Sequence, residues 1–431
     1  MANASSLYQG FLAKKYDDIL VSFYGSDNVQ LEYQRQRYAD ALANFTGLFG
    51  AEREVRIYSA PGRTEICGNH TDHNHGVVLA AAVNADVIAV ISARDDMRIR
   101  VQSMGFMYMD DIKLDVLTPQ KNETGKSSSL IRGVASAFVE RGGKAGGFDA
   151  FTASNVPAGS GLSSSAAFEV CLAGIINHEY NDGAFSAIEL ALIGQRAENW
   201  HFGKPSGLMD QTACAVGGAM TIDFKDPSAP IVKALDFSEE KHGYAMAITS
   251  TGGSHAGLTA EYAQIRTDMQ NIAAVFGQDV LRDMPFEDVL QKIPDLRERF
   301  GDRAVLRAIH FYKECQRVEA MADAIKKDNF EAFLRLITEA GHSSFEYNQN
   351  AYVASDINHQ GMPVALALSQ NLLQDKGAWR LQGGGFAGTI QAFVPQNIVE
   401  EYKEMMESVF GMGACIILHI RPQGFAQLPL G

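Results

Sequence analysis

Cysteine is scarce and scattered. The five residues Cys67, Cys171, Cys214, Cys315 and Cys415 are odd in number, far apart and without a Cys-x-x-Cys pair. This excludes a zinc ribbon and a dithiol redox motif, and it fits a reducing compartment. Basic residues are also in deficit: 37 Lys plus Arg face 51 Asp plus Glu, for a formal charge of −14. Nucleic acid and anionic lipid both demand a basic face, so neither nucleic acid nor membrane is expected as a partner. Long apolar runs are missing too. The most apolar stretch, Val77 to Ser92, is interrupted by Asn84 and Asp86 and is too short to span a bilayer. The N-terminal MANASSLYQGFLAKKYDD has no signal-peptide-like apolar run, and a cytoplasmic monomer is expected.

What is present suits a folded, two-domain chain. The 431 residues are 46% hydrophobic and 20% charged, too apolar for disorder and long for one domain. Helical spacing of Tyr33, Tyr38, Leu42 and Phe45 predicts helices in the first 50 residues. Strands are expected from Val55 into a loop at Pro61-Gly62, at 77–83, 87–92, 97–102 and 148–153, and at 218–224. Residues 118–129 lack periodicity and read as a surface loop before a helix at 130–140. Further helices are expected at about 164–179 and 186–200, with a loop from His201 to Asp210. Beyond a soft boundary near 225–240, a strand at 244–250 precedes helices at about 257–275, 303–326 and 330–340. Strands at 378–381 and 389–394, a helix at 396–408 and a strand at 415–420 close the chain. Strands and helices do not alternate regularly, which favours an α+β fold with domains 1–230 and 231–431.

Glycine is mildly enriched, and it clusters. The 40 glycines are about 9% of the chain, against about 7% on average. The central cluster is Pro157-Ala-Gly159-Ser-Gly161-Leu162-Ser163-Ser164-Ser165-Ala166, which runs into an apolar helix. Glycines let backbone N–H groups approach an anion, and a helix start adds unpaired N–H groups and a positive dipole end. A polyphosphate fits this chemistry; a plain serine helix cap is the other reading. Thr124-Gly125-Lys126-Ser127 ends like a Walker A motif, but its first glycine position is Gln120, and no buried strand precedes it. The second loop, Pro61 to Gly76, crowds Arg63, Asn69, His70, Asp72, His73, Asn74 and His75 between two strands. Such density suits a polar ligand such as a sugar, or a metal held by His70, Asp72, His73 and His75. A third stretch runs from Glu198 through Pro205-Ser-Gly207-Leu-Met-Asp210-Gln211. A fourth is Gly383 to Gly388, a close backbone approach or a tight hairpin.

Together, in this order, the four stretches resemble the GHMP kinases, a superfamily of small-molecule kinases. Pro157 to Ala166 is similar to the superfamily's phosphate loop, and Gly383 to Gly388 to its C-terminal glycine motif. More narrowly, Gly62 to Asn74 resembles the galactokinase-family signature G-R-x-N-x-I-G-E-H-T-D-Y-N, and Pro205 to Gln211 that family's catalytic segment. The resemblance covers about residues 55 to 420. It implies an N-terminal domain of the ribosomal-protein-S5 type, a ferredoxin-like C-terminal domain and an active site between them. It further implies ATP- and Mg²⁺-dependent phosphorylation of the anomeric hydroxyl of galactose. By motif position Asp210 is the general base or acceptor of the hydroxyl proton, and Arg63 offsets charge on the transferring group. The resemblance likewise implies that Gly159, Gly161, Leu162, Ser163, Ser164, Ser165 and Ala166 bind nucleotide. Ser165 and Glu198 match the Mg²⁺ positions, and Asn69, His70, Asp72, Gly207 and Tyr262 the sugar contacts.

Two departures bear on specificity. The signature's Glu before His is Asn69 here, and its Tyr is His73. In the family that Glu meets the C6 hydroxyl, so a neutral Asn69 would tolerate a C6 carboxylate, as in galacturonate, or a pentose such as L-arabinose. Ser127 to Gly133 also lacks the aromatics expected near the adenine, which bears on nucleotide preference. A non-catalytic kinase-like sugar sensor would be expected to lose part of the set Arg63, Ser163 to Ala167, Glu198 and Asp210; all are present. A metal-dependent hydrolase built on the histidines is the remaining alternative.

Overall fold

The computed structural model describes residues 3–157, 159–253, 257–386 and 388–430; Ala158 of the central loop and Ala387 of the glycine turn lie outside them. Strands β1 (Arg56–Cys67), β2 (Val77–Ala93), β3 (Arg98–Ser103), β4 (Asp110–Lys113), β5 (Phe148–Ser154), β6 (Ala219–Asp223) and β7 (Ile231–Leu235) form one sheet. A second, fully antiparallel sheet holds β8 (Tyr244–Ser250), β9 (Ala378–Gln382), β10 (Thr389–Pro395) and β11 (Cys415–Leu418). Its spatial order, β11-β8-β10-β9, is the ferredoxin-like order expected. The chain end then returns to the first sheet as β12 (Ala426–Gln427), beside β1.

The first sheet is buried on both faces, and alternation sorts its side chains. Ile57, Ile88, Val90, Phe151 and Ala153 meet the N-terminal helices through Phe11, Tyr38 and Phe45. Tyr58, Ala89, Ile91 and Ala150 meet helices Ser127–Glu140 and Ser164–Tyr180 on the other face. A further core joins the two sheets: Leu79, Ala81 and Val83 pack with Met246, Phe333 and Phe393.

Several expectations change. The first strand does not end in a loop at Pro61-Gly62: β1 continues to Cys67. The strands expected at 77–83 and 87–92 are one strand, β2, with no break at Asn84 or Asp86. The polar pair is tolerated because other segments satisfy it. Asn84 exchanges two hydrogen bonds with His419, each 3.0 Å. Asp86 meets Arg37 at 2.6 Å and Arg421 at 2.9 Å. A division at 230/231 would also separate β7 from its partner β6. We therefore propose a boundary between β7 and β8, with the tail from His419 assigned to the first unit. The expectations did not include β4, β7 or the helices Met209–Val216, Phe286–Gln291, Ile293–Phe300 and Gly361–Leu373; each strand and helix here is short or apolar throughout, so period gives little sign of it.

Candidate active site

The site is built where β1 passes the central loop. Gly62 is required there, because an added Cβ would sit 2.8 Å from the Leu162 carbonyl oxygen. The same carbonyl accepts from the Arg63 amide at 3.0 Å, so β1 and the central loop are joined backbone to backbone. Arg63 then turns its guanidinium onto Asp210, Nε to Oδ1 at 2.7 Å and Nη2 to Oδ2 at 2.7 Å. This is a bidentate, charge-assisted pair. The Ser163 hydroxyl also donates to Asp210, and Arg63 Nη1 donates to the Gly161 carbonyl. Asp210, expected in a loop, lies in the first turn of the helix Met209–Val216, at the end that favours a negative charge. Burial works against its ionised form, but Arg63 and the Ser163 hydrogen bond hold the carboxyl below its usual range.

The central loop presents backbone rather than side chains. Gly159, Gly161 and Ser163 have φ of 74°, 71° and 57°, and the helix Ser164–Tyr180 starts immediately after. The cap reading does not hold: Ser163 makes no side-chain cap bond, because its hydroxyl is directed to Asp210. The first N–H groups of this helix are therefore left for another acceptor. Leu162 and Ala166 face the core, so only their backbone is available to a ligand. Ser165 Oγ lies 3.4 Å from Glu198 Oε1, and Glu198 opens a π-helical turn, a rare geometry that recurs at functional sites. Lys204 meets the same oxygen at 2.9 Å. Gln211 Nε2 bridges Glu198 Oε2 at 3.0 Å and Glu169 Oε2 at 2.9 Å, leaving Glu169 Oε1 buried and unpartnered among the described residues. A hard divalent cation fits this oxygen set. Glu169 had not been anticipated, although a lone glutamate inside the apolar run Ala166 to Ile176 is a visible signal.

On the other side of Arg63, a cleft of about 710 Å³ is lined by Arg63, Glu65, Asp72, Gly207, Tyr262 and Gly384, among others. A side chain at Gly207 would overlap the Asp72 carboxylate, which explains the glycine. Burial pushes the Asp72 carboxyl above its usual range, outweighing the pull of His70, with Glu65 and Asp210 adding to it. The glycine turn between β9 and β10 holds the far wall through its carbonyls. Gly383 O accepts from Asn69 Nδ2 at 2.7 Å, Gly384 O lies 2.8 Å from His70 Nε2, and Gly385 O accepts from the Tyr262 hydroxyl at 2.8 Å. The strands behind this turn grip the central loop: Thr389 Oγ1 donates to Ser160 O at 3.0 Å and Gln382 Nε2 to Gly161 O at 3.4 Å.

Asn69 is placed differently from what its substitution suggests. Its amide is fully engaged inside the protein. Nδ2 donates to Glu65 Oε1 at 3.1 Å and to Gly383, while Oδ1 accepts from Asn350 Nδ2 at 2.8 Å and Asn348 Nδ2 at 3.4 Å. The quoted signature also carries Asn where Glu65 stands, so positions 65 and 69 depart as a pair, a signal that a reading of 69 alone misses. Ser127 to Gly133 starts the helix Ser127–Glu140, with Ser127 on Asp110 and Arg132 bound to Glu123; the Walker-like segment is a helix start. Among the described residues, no group of three or more His, Cys, Asp and Glu side chains is arranged to hold a metal. The histidine-metal reading has no support in this geometry.

Comparison with known proteins agrees with this layout. Residues 43–93 match the family described as the galactokinase galactose-binding signature, and residues 129–218 the GHMP kinases N terminal domain. The galactokinase of Streptomyces coelicolor is 32% identical over 371 residues, 85% of this chain and 91% of that protein. That of Actinobacillus pleuropneumoniae is 31% identical over 350 residues, 80% and 87% respectively. Among solved structures, Lactococcus lactis galactokinase complexed with galactose superposes with a TM-score of 0.76 at 22% identity, covering 89% of this chain and 98% of that one. Methanococcus jannaschii mevalonate kinase gives 0.61 at 13% identity, with 85% and 98% covered. With the two glycine-rich elements meeting at one Arg–Asp pair and the sequence match running through most of the chain, the protein belongs to the galactokinase family of the GHMP kinases.

Proposed function

We propose that the chain transfers the γ-phosphoryl group of ATP to the anomeric hydroxyl of galactose, giving galactose 1-phosphate and ADP. ATP use follows from membership of a kinase family. The observation that carries the sugar-1-kinase reading is the Arg63–Asp210–Ser163 clamp, which stands between an open helix N-terminus and a polar cleft. In this reading Asp210 holds the attacking hydroxyl and takes its proton, and Arg63 faces the charge that moves onto the transferring oxygens. The backbone of Gly159 to Ala166 cradles the phosphates. His70, Asp72, Gly207 and Tyr262 surround the sugar. Ser165 and Glu198 would hold Mg²⁺, which neutralises phosphate charge when bound. Positioning and charge stabilisation are most of what phosphoryl transfer requires.

No helix of the described residues is long and apolar enough to cross a membrane. All five cysteines are free thiols, four of them buried, which supports the proposed cytoplasmic location. The deciding assay is ATP-coupled turnover of galactose, galacturonate, L-arabinose, N-acetylgalactosamine and glucose, with the product identified by phosphorus NMR. Galactose is expected to give the sugar 1-phosphate, and omission of the divalent cation to abolish it. No product with any sugar would sink the proposal.

The pH profile supplies a second check. Asp210 stays ionised below the ordinary carboxylate range, so it does not set an acid limb near neutrality. Asp72 is shifted the other way and is protonated first as the pH falls, losing its acceptor role. The acid limb of kcat/KM for sugar is therefore expected above the usual Asp value of about 4. It should disappear in Asp72→Asn; an unchanged limb in that variant refutes the assignment.

A further inference from the structure

One buried acidic residue in the cleft has no part in the mechanism above. Glu65 is 4% exposed, yet it lines the cleft wall. Its Oε1 is held by Arg380 Nη2 at 2.8 Å and by Asn69 Nδ2 at 3.1 Å, and its backbone carbonyl by Arg380 Nη1 at 3.1 Å. Oε2 takes no hydrogen bond among the described residues and is not sealed from solvent, so it keeps access to the cleft. A carboxylate oxygen that meets the cleft without a protein donor is free to accept from a ligand. Arg380 is itself fully buried and, with Asn69, fixes the rotamer of the carboxylate, so a donor to Oε2 has a defined position.

That position can be read along the strand. Arg63 and Glu65 are two residues apart on β1, so their side chains share a face roughly 6–7 Å apart. A pyranose ring whose anomeric oxygen lies at Asp210 and Arg63 spans about this distance to its far side. Asn69, in contrast, has no hydrogen-bonding capacity left to offer.

We infer that Glu65 is a specificity-determining residue, whose Oε2 accepts a hydrogen bond from one sugar hydroxyl on the half of the ring remote from C1. This rests on the galactokinase reading. It also reassigns the discrimination that the Asn69 substitution suggests: the acceptor is a carboxylate four residues earlier, and Asn69 orients it.

The test uses the full-length enzyme, with galactose and its 3-deoxy, 4-deoxy and 6-deoxy analogues as substrates. Glu65→Gln removes the charge. Glu65→Asp keeps a charge opposite Arg380 and withdraws the carboxylate by one methylene, so it serves if the first variant does not fold. In either folded variant the KM for galactose should rise about ten- to a hundredfold, more than kcat falls. The KM for one deoxy sugar, the one lacking the hydroxyl that Glu65 reads, should stay at its wild-type value. A galactose KM within about twofold of wild type, or an equal loss for galactose and all three analogues, overturns the inference. A wild-type enzyme inert toward every sugar overturns the galactokinase reading instead, so the two failures are separable.

Discussion

Asp210→Asn is expected to lower kcat by about 10²- to 10⁴-fold, the range of a lost acid–base group. ATP affinity should survive, because the proposed phosphate contacts come from the backbone of Gly159 to Ala166 and the start of the helix Ser164–Tyr180 rather than from the side chain of residue 210. Two features make the effect large. The carboxylate is held by both Arg63 and Ser163, so it fixes the guanidinium as well as, in the proposed role, the sugar hydroxyl. In either orientation an asparagine amide would also turn its N–H₂ group toward Nε or Nη2 of Arg63, leaving a donor facing a donor. Because Asp210 is shifted below the usual range, it is a weak proton acceptor, and its larger contribution is orientation of the attacking oxygen. Single-turnover kinetics with a separate nucleotide-binding measurement check this. A near-normal kcat with intact binding refutes the role.

Asp86→Ala is expected to produce the largest loss of stability. Asp86 is 0% exposed and lies between Arg37 and Arg421, which are 6% and 1% exposed. The hydroxyls of Tyr24 and Ser59 also donate to it. Breaking a buried ion pair by removing one partner typically costs about 3–5 kcal/mol, because the remaining charge is stranded. Here two guanidinium groups lose their counter-ion. Denaturant unfolding should show a lower midpoint and an unfolding free energy reduced by that amount, and a loss under about 1 kcal/mol contradicts the assignment. The pH dependence has a definite sign. Burial opposes ionisation, but the two arginines and two hydroxyls hold the Asp86 carboxyl below its usual value. Its contribution is therefore present above the ordinary carboxylate range and is lost only as the pH falls through the lowered value.

The same residue shows how far the sequence can be read. Asp86 and Asn84 look like a break in an apolar run, since pattern alone cannot supply partners from Arg37 or from His419 and Arg421, far away in the chain. The loops were legible for the opposite reason. Gly161, Gly207 and Gly383 to Gly385 sit in contiguous segments whose backbone needs are local, so their order and spacing survive in the sequence. Asp210 was legible as a residue but not as part of a helix, because the eight residues Met209–Val216 are too short for a periodic signal. Asn69 was the most misleading position. Its chemistry suggests an open amide, and only tertiary structure shows that Glu65, Gly383, Asn348 and Asn350 occupy every hydrogen-bonding direction. Glu169 and Glu65 are the inverse case: buried carboxylates whose meaning depends on neighbours that β1 and the central helix bring together.

The hairpin of β9 and β10 ties the two halves of the cleft to a single element. Its strands hold Ser160 and Gly161, and its tip holds Asn69, His70 and Tyr262. Ordering either end therefore removes part of the conformational freedom that the other ligand would otherwise have to remove. Nucleotide and sugar should consequently bind with positive cooperativity. By thermodynamic linkage, the factor by which ATP tightens the sugar must equal the factor by which the sugar tightens ATP. Weakening the hairpin's grip on the central loop, as in Thr389→Val, should bring that shared factor toward one from both directions.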